Sequence, residues 1–123
     1  MDITNVRTIA AIKAIKNIPT SESVIFGNFT KSMNDKEVML KIHSIAVSNI
    51  DANQTADITK RFYKDDNNYF YIANNETVAV HTHTFITNED SFIYLPHGWC
   101  IKALSSRADS LDCMIIYDAL ESI

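Results

Sequence analysis

From Val24 onward the chain alternates short apolar stretches with polar turn signals. That is the pattern of strands in a sandwich, where successive side chains point to opposite faces. Val24–Phe29 is the first stretch, and Met33-Asn34-Asp35-Lys36 is a turn. Val38–Asn49 is a long strand whose parity changes, with Leu40 and Ile42 on one face and then Ile45 and Val47 on the next. One extra residue near His43-Ser44 restores a single apolar face, which predicts a β-bulge there. After the Asp51–Gln54 turn, Thr55–Tyr63 sets Ala56, Ile58 and Phe62 against Thr59 and Arg61. Asp65-Asp66-Asn67-Asn68 is the strongest turn signal. Tyr69–Ala73, an Asn74-Asn75 turn, Thr77–Phe85, an Asn88–Asp90 turn and Ser91–Leu95 follow. Pro96-His97-Gly98 leads into Trp99–Ser105, and the polar 106–110 loop leads into Leu111–Tyr117. The last strand carries Leu111, Cys113, Ile115 and Tyr117 on one face and Met114 and Ile116 on the other. Apolar residues on both faces mark a central strand, or one covered by a partner. About eight strands result, which predicts an all-β, jelly-roll-like antiparallel β-sandwich.

The N-terminal segment reads differently. Ile9, Ile12 and Ile15 recur at helical spacing among alanines, yet a first strand or an extended arm fits residues 6–16 equally. Pro19 ends the segment. The expected organisation is an N-terminal arm, residues 1–22, and a β-sandwich domain, residues 23–123. Ile9, Ile12, Ile15 and Ile18 are the arm's expected contacts with its own sandwich or a neighbour.

Composition sharpens the picture at a few points. The 123 residues include 17 Ile but five Leu, and 11 Asn but two Gly. Isoleucine favours strands, and asparagine tolerates the left-handed turn conformations that glycine usually supplies. With Gly27 and Gly98 the only glycines, there is no phosphate-cradling loop. No apolar run approaches the roughly 18 residues of a membrane span, and the N-terminus reads without a signal peptide. Cys100 and Cys113 are too few for a disulfide framework, and whether they bridge stays open. Residues 1–64 carry a net charge of +3 and residues 65–123 a net charge of -7. With no dense basic run, nucleic acid is not the expected partner.

Candidate chemistry is sparse. In His81-Thr82-His83 two imidazoles alternate, as on a strand that grips one metal, and Glu89 follows. Cupins, small jelly rolls, use an H-x-H followed closely by a glutamate. Here the glutamate is distant, and no histidine follows His97. Val78 and Val80 take the core face, which turns His81 and His83 toward solvent or a subunit contact. Cys100 lacks the cationic or helix-terminal setting of a reactive thiol, and no serine sits on a glycine-flanked elbow. No catalytic residue and no cofactor are expected. The aromatics Phe62-Tyr63, Tyr69-Phe70-Tyr71 and Phe92–Tyr94 alternate with polar residues and suit core packing, while Tyr63, Tyr69 and Tyr71 on an outer face would instead suit a protein–protein contact.

The order of these segments carries a resemblance. Ile42-His43-Ser44-Ile45-Ala46-Val47-Ser48-Asn49-Ile50-Asp51 resembles the I-x-S-I-x-V-S-N-x-D strand and turn of a family of small tailed-phage virion structural proteins. Tyr69–Ala73, Val78-Ala79-Val80, the Phe92–Ser105 segment with its Leu95-Pro96-His97-Gly98 turn, and Ala108–Leu120 are similar to that family's later segments in the same order. His81-Thr82-His83 and Trp99 depart from its pattern. The resemblance spans residues 24–120. It implies a β-sandwich that decorates the capsid or joins the neck or tail of a virion, without enzyme activity. It also implies repeated copies, with a homo-oligomer, a trimer, as the expected state. The other classes to weigh are a cupin-like metal-binding enzyme and a receptor- or glycan-binding tip module.

Overall fold

The structure, a computed structural model, describes residues 6–29, 37–87 and 92–122. The expected turns at 33–36 and 88–90, and Glu89, lie outside them. The described residues form nine strands: β1 (Val6–Ile15), β2 (Ser23–Gly27), β3 (Val38–Asn49), β4 (Ala56–Asp65), β5 (Asn68–Val78), β6 (His83–Thr87), β7 (Ile93–Leu95), β8 (Cys100–Ser105) and β9 (Leu111–Ser122). One sheet runs β1-β9-β3-β6, with short β7 beside the other half of β3, and the second runs β2-β8-β4-β5. The pairing is nested, first strand with last, and all of it is antiparallel. With β7 set aside, this is the strand order of a jelly roll, so the expected all-β sandwich is the observed one.

The alternation places the core. Leu40, Ile42, Ile45 and Val47 of β3 meet Ile58 and Phe62 of β4, Ile101 and Ala103 of β8, and Leu111 and Ile115 of β9 between the sheets. Phe26 and Tyr117 stack across the gap with ring centroids 4.8 Å apart. The register of β3 on β9 slips between Ile42 and Ser44, leaving His43 as the extra residue of the expected bulge. Ile42 and Ile45 therefore both point inward and are fully buried. His43 Nε2 lies 2.6 Å from Asp118 Oδ2 on β9.

Two expectations change. Residues 6–15 are a strand, hydrogen-bonded along β9 through ten residue pairs, so the segment set apart as an arm is the edge of a sheet. A ladder of partners outweighs the helical spacing of its isoleucines. Ile18 is 1% exposed and belongs to the core, and Ile15 packs against that core. Ile18 offers a partner no free side chain, and Ile15 is partly buried. Ile12 on the outer face is 65% exposed, and Ile9 stays exposed at the edge. Arg7 pairs with Glu121 and Lys16 with Asp112, so the positive and negative halves of the sequence meet along β1 and β9.

The second change concerns the Asn74-Asn75 segment, which does not reverse the chain. Asn75 takes a left-handed φ of 52°, and its N–H donates to Thr59 Oγ1 at 3.0 Å. The extra residue is a bulge inside a continuous β5. The reversal comes later, where His81 has φ 55° and Thr82 N–H donates to Ala79 O at 3.2 Å.

Two asparagines bind this frame from inside. Asn28, 1% exposed, donates to Val38 O at 2.7 Å and Leu95 O at 2.8 Å, at the start of β3. At the other end of β3, Asn49 donates to Val78 O at 2.9 Å and Gln54 O at 3.0 Å, and its Oδ1 accepts from Asp51 N–H at 2.8 Å. Each satisfies backbone groups that burial would otherwise leave unpaired. Beside Asn28, Gly98 has φ 90°, a backbone that side-chain-bearing residues rarely adopt, and its N–H donates to Asn28 O at 2.8 Å.

Among the described residues, one fully buried inward position carries an ionisable amine. Lys60 lies between Ile58 and Phe62 on the core face of β4 and is the largest fully buried side chain. Its cross-strand neighbours are Ala103 and Ala73, small enough to leave it room. Its Nζ reaches Cys113 Sγ on the facing sheet at 2.7 Å. Burial pulls the ammonium below the ordinary lysine range, and the Cys113 sulfur opposes this only in part.

Two stability predictions follow from these buried polar groups. Asn49→Ala should cost about 2 kcal/mol in urea unfolding by orphaning the buried Val78 carbonyl and releasing the Gln54 and Asp51 backbone groups, while exposed Asn53→Ala should change stability by less than about 0.5 kcal/mol. Equal effects would remove Asn49 from its role. For Lys60, the folded state gives up its proton at lower pH than the unfolded chain. Stability should therefore rise with pH from the lowered value toward the ordinary value near 10, and below that window the fold carries the full cost of the charge. Lys60→Met should be more stable than wild type at pH 7 by about 1–4 kcal/mol and should lack this alkaline rise. Parallel stability–pH curves for the two proteins would contradict it.

Candidate interaction surface

The outer face of the β2-β8-β4-β5 sheet gathers the polar aromatics. Arg61 and Tyr63 on β4 stand opposite Tyr71 and Tyr69 on β5, and Lys102 on β8 stands opposite Arg61. All five share one face because directly paired residues of antiparallel strands point the same way. The Asp65–Asn68 turn, where Asp65 Oδ1 accepts from Asn67 N–H and Asn68 Nδ2 at 2.9 Å, sets this hairpin's register. Those two donors hold the Asp65 carboxyl below its usual range.

The charges order the rings. Glu22 grips the Arg61 guanidinium from two sides, with Nε to Oε2 at 2.9 Å. Arg61 lies 4.9 Å from the Tyr63 ring centroid and 4.7 Å from that of Tyr69. Lys102 Nζ sits 3.5 Å above Tyr63. Tyr69 and Tyr71 meet edge to face at 5.8 Å. The Tyr63 hydroxyl donates to Asp66 Oδ1 at 2.7 Å, and that carboxylate pushes the phenol pKa up. Tyr69 and Tyr71 remain nearly half exposed. This is a surface with its side chains already held, which lowers the ordering cost of binding.

The remaining candidates separate. His81 sits in a turn and His83 opens β6, so they do not alternate along one strand as the sequence reading has them. The reason is the left-handed turn at His81, which carries the chain from one sheet to the other. Both are exposed. Among the described residues, no group of three His, Cys, Asp or Glu is placed to hold a metal. Cys100 pairs with outward Tyr63, whereas Cys113 points inward, and both thiols are free. Burial raises the Cys100 thiol pKa.

One feature escaped the sequence reading. Phe62, Phe70, Ile93, Tyr94, Leu95, Pro96 and Trp99 line an open, almost wholly apolar groove of about 440 Å³. Phe70, 66% exposed, sits at its rim. The lining joins the β4–β5 hairpin, where Phe62 faces Phe70, to residues 93–99, and only the fold brings these two distant segments together. No protein-family model matches the chain, and no curated protein matches it.

The stacked arrangement is measurable. In Tyr63→Leu, the side-chain methylene resonances of Lys102 and Arg61 should lose their ring-current displacement, with backbone amide shifts outside this face unchanged. Unmoved Lys102 resonances would show that the ammonium does not sit over the ring.

Proposed function

We propose that the chain is a non-enzymatic structural protein of a tailed-phage virion, a repeated component that decorates the capsid or joins the neck or tail. The observation that carries this reading is the pre-ordered Arg61–Tyr63–Tyr69–Tyr71 face on a rigid sheet. Tyrosine and arginine are the residues on which protein–protein contacts concentrate their energy. The ordered resemblance over residues 24–120 supports the same assignment, and jelly rolls serve as capsid domains.

The state proposed is a homo-oligomer, a trimer, within the particle. Ile12 and the half-exposed Met114 on the outer face of the β1–β9 sheet add a second adhesive area. The apolar groove offers stacking faces with few hydrogen-bond partners for hydroxyl groups, which suits a protein segment better than a glycan.

Analytical ultracentrifugation and particle co-sedimentation test the proposal. The purified chain should form a closed oligomer and bind virions from the source of its gene. Tyr69→Ala/Tyr71→Ala should weaken assembly or particle binding by about tenfold or more while leaving the melting temperature close to wild type. A monomer at all concentrations with no affinity for particles overturns the reading.

A further inference from the structure

The contact between Lys60 and Cys113 is not used by any surface described above. It joins the two sheets, since Lys60 rises from β4 and Cys113 descends from β9. The amine is fully buried and the sulfur nearly so. Sulfur is larger than oxygen, so 2.7 Å from Nζ to Sγ is a closer approach than the same distance in an N–H···O bond. Alanines flank the lysine, while Val47 and Ile15 flank the cysteine, so competing nucleophiles are kept away. The sulfur is nearly fully buried, so an oxidant that reaches it must be as small as hydrogen peroxide.

We propose that Lys60 and Cys113 form a redox modification site, at which a peroxide converts the contact into a covalent nitrogen–sulfur link between the sheets. In the first step the Cys113 sulfur attacks one peroxide oxygen. The O–O bond breaks and an S–O bond forms, giving a sulfenic acid and one water, with sulfur losing two electrons and peroxide gaining them. In the second step the Lys60 nitrogen lone pair attacks that sulfur. The N–S bond forms as the S–O bond breaks, and the hydroxyl departs with a proton from nitrogen as a second water. The sum is thiol, amine and hydrogen peroxide giving a sulfenamide and two waters. Sulfenic acids condense with a backbone nitrogen to a sulfenamide, and an amine lone pair attacks the same electrophilic sulfur. Burial supports the second step by favouring the uncharged, nucleophilic amine. The product staples β4 to β9, and a thiol reductant reverses it.

The test uses the folded full-length chain carrying Cys100→Ser, which leaves one thiol. After hydrogen peroxide, the intact mass should fall by two hydrogens. Trypsin should no longer cut after Lys60, and the peptides holding Lys60 and Cys113 should run as one until dithiothreitol restores both. A linked species that also retains one oxygen, formed with a second peroxide, supports the same pairing. Dimedone, which traps sulfenic acids, should label the Lys60→Met/Cys100→Ser chain and not the chain with Lys60. If sulfur gains oxygen without a cross-link to Lys60, or peroxide leaves the folded chain unchanged, the proposal fails.

Discussion

The fold depends on one antiparallel pairing, β3 against β9. Its partners are separated by most of the chain, yet eleven residue pairs align them. The ladder is the centre of its sheet, with β1 on one side and β6 and β7 sharing the other. A single extra residue, His43, keeps both halves of β3 facing inward. Without that slip, Ile45 and Val47 would turn to solvent, because a one-residue shift exchanges the faces of a strand. The buried amides of Asn28 and Asn49 clasp its two ends, tying β3 to the loops and strands that must lie beside it.

The space enclosed by this frame is thin, because stacked sheets pack about 10 Å apart. A lysine stem is long enough to cross such a gap. That is why Lys60 ends at Cys113 rather than in water, and why its neighbours are alanines. A buried amine is a poor source of stability. Local rules that conflict with burial tend to mark sites with a role beyond folding. The position of Lys60, in the heart of an isoleucine-rich core, is the clearest such conflict in the described residues.

The surfaces follow from the same geometry. Arg61 and Tyr63 on β4 each find partners on both β5 and β8, so residues spread from 22 to 102 converge on one arginine. The rings of Tyr63, Tyr69 and Tyr71 become a single face only because the β4–β5 hairpin holds its register through Asp65. His81 and His83, two residues apart in sequence, are instead split between a turn and the start of β6.

The sequence by itself determined the local alternation. The period-two pattern, the bulge at His43, the Asp65–Asn68 reversal and the doubly apolar β9 were all legible, since each depends on neighbouring side chains choosing a face. Tertiary structure decided what depends on distant partners. It drew residues 6–15 into a strand because β9 offered a complete ladder. It made Asn75 a bulge because Thr59 was in reach, and it moved the reversal to His81, where the chain changes sheets. It also assembled the aromatic groove and brought Lys60 to Cys113. Those outcomes rest on contacts between segments far apart in the chain, and a local pattern of polarity carries no record of which segments will meet.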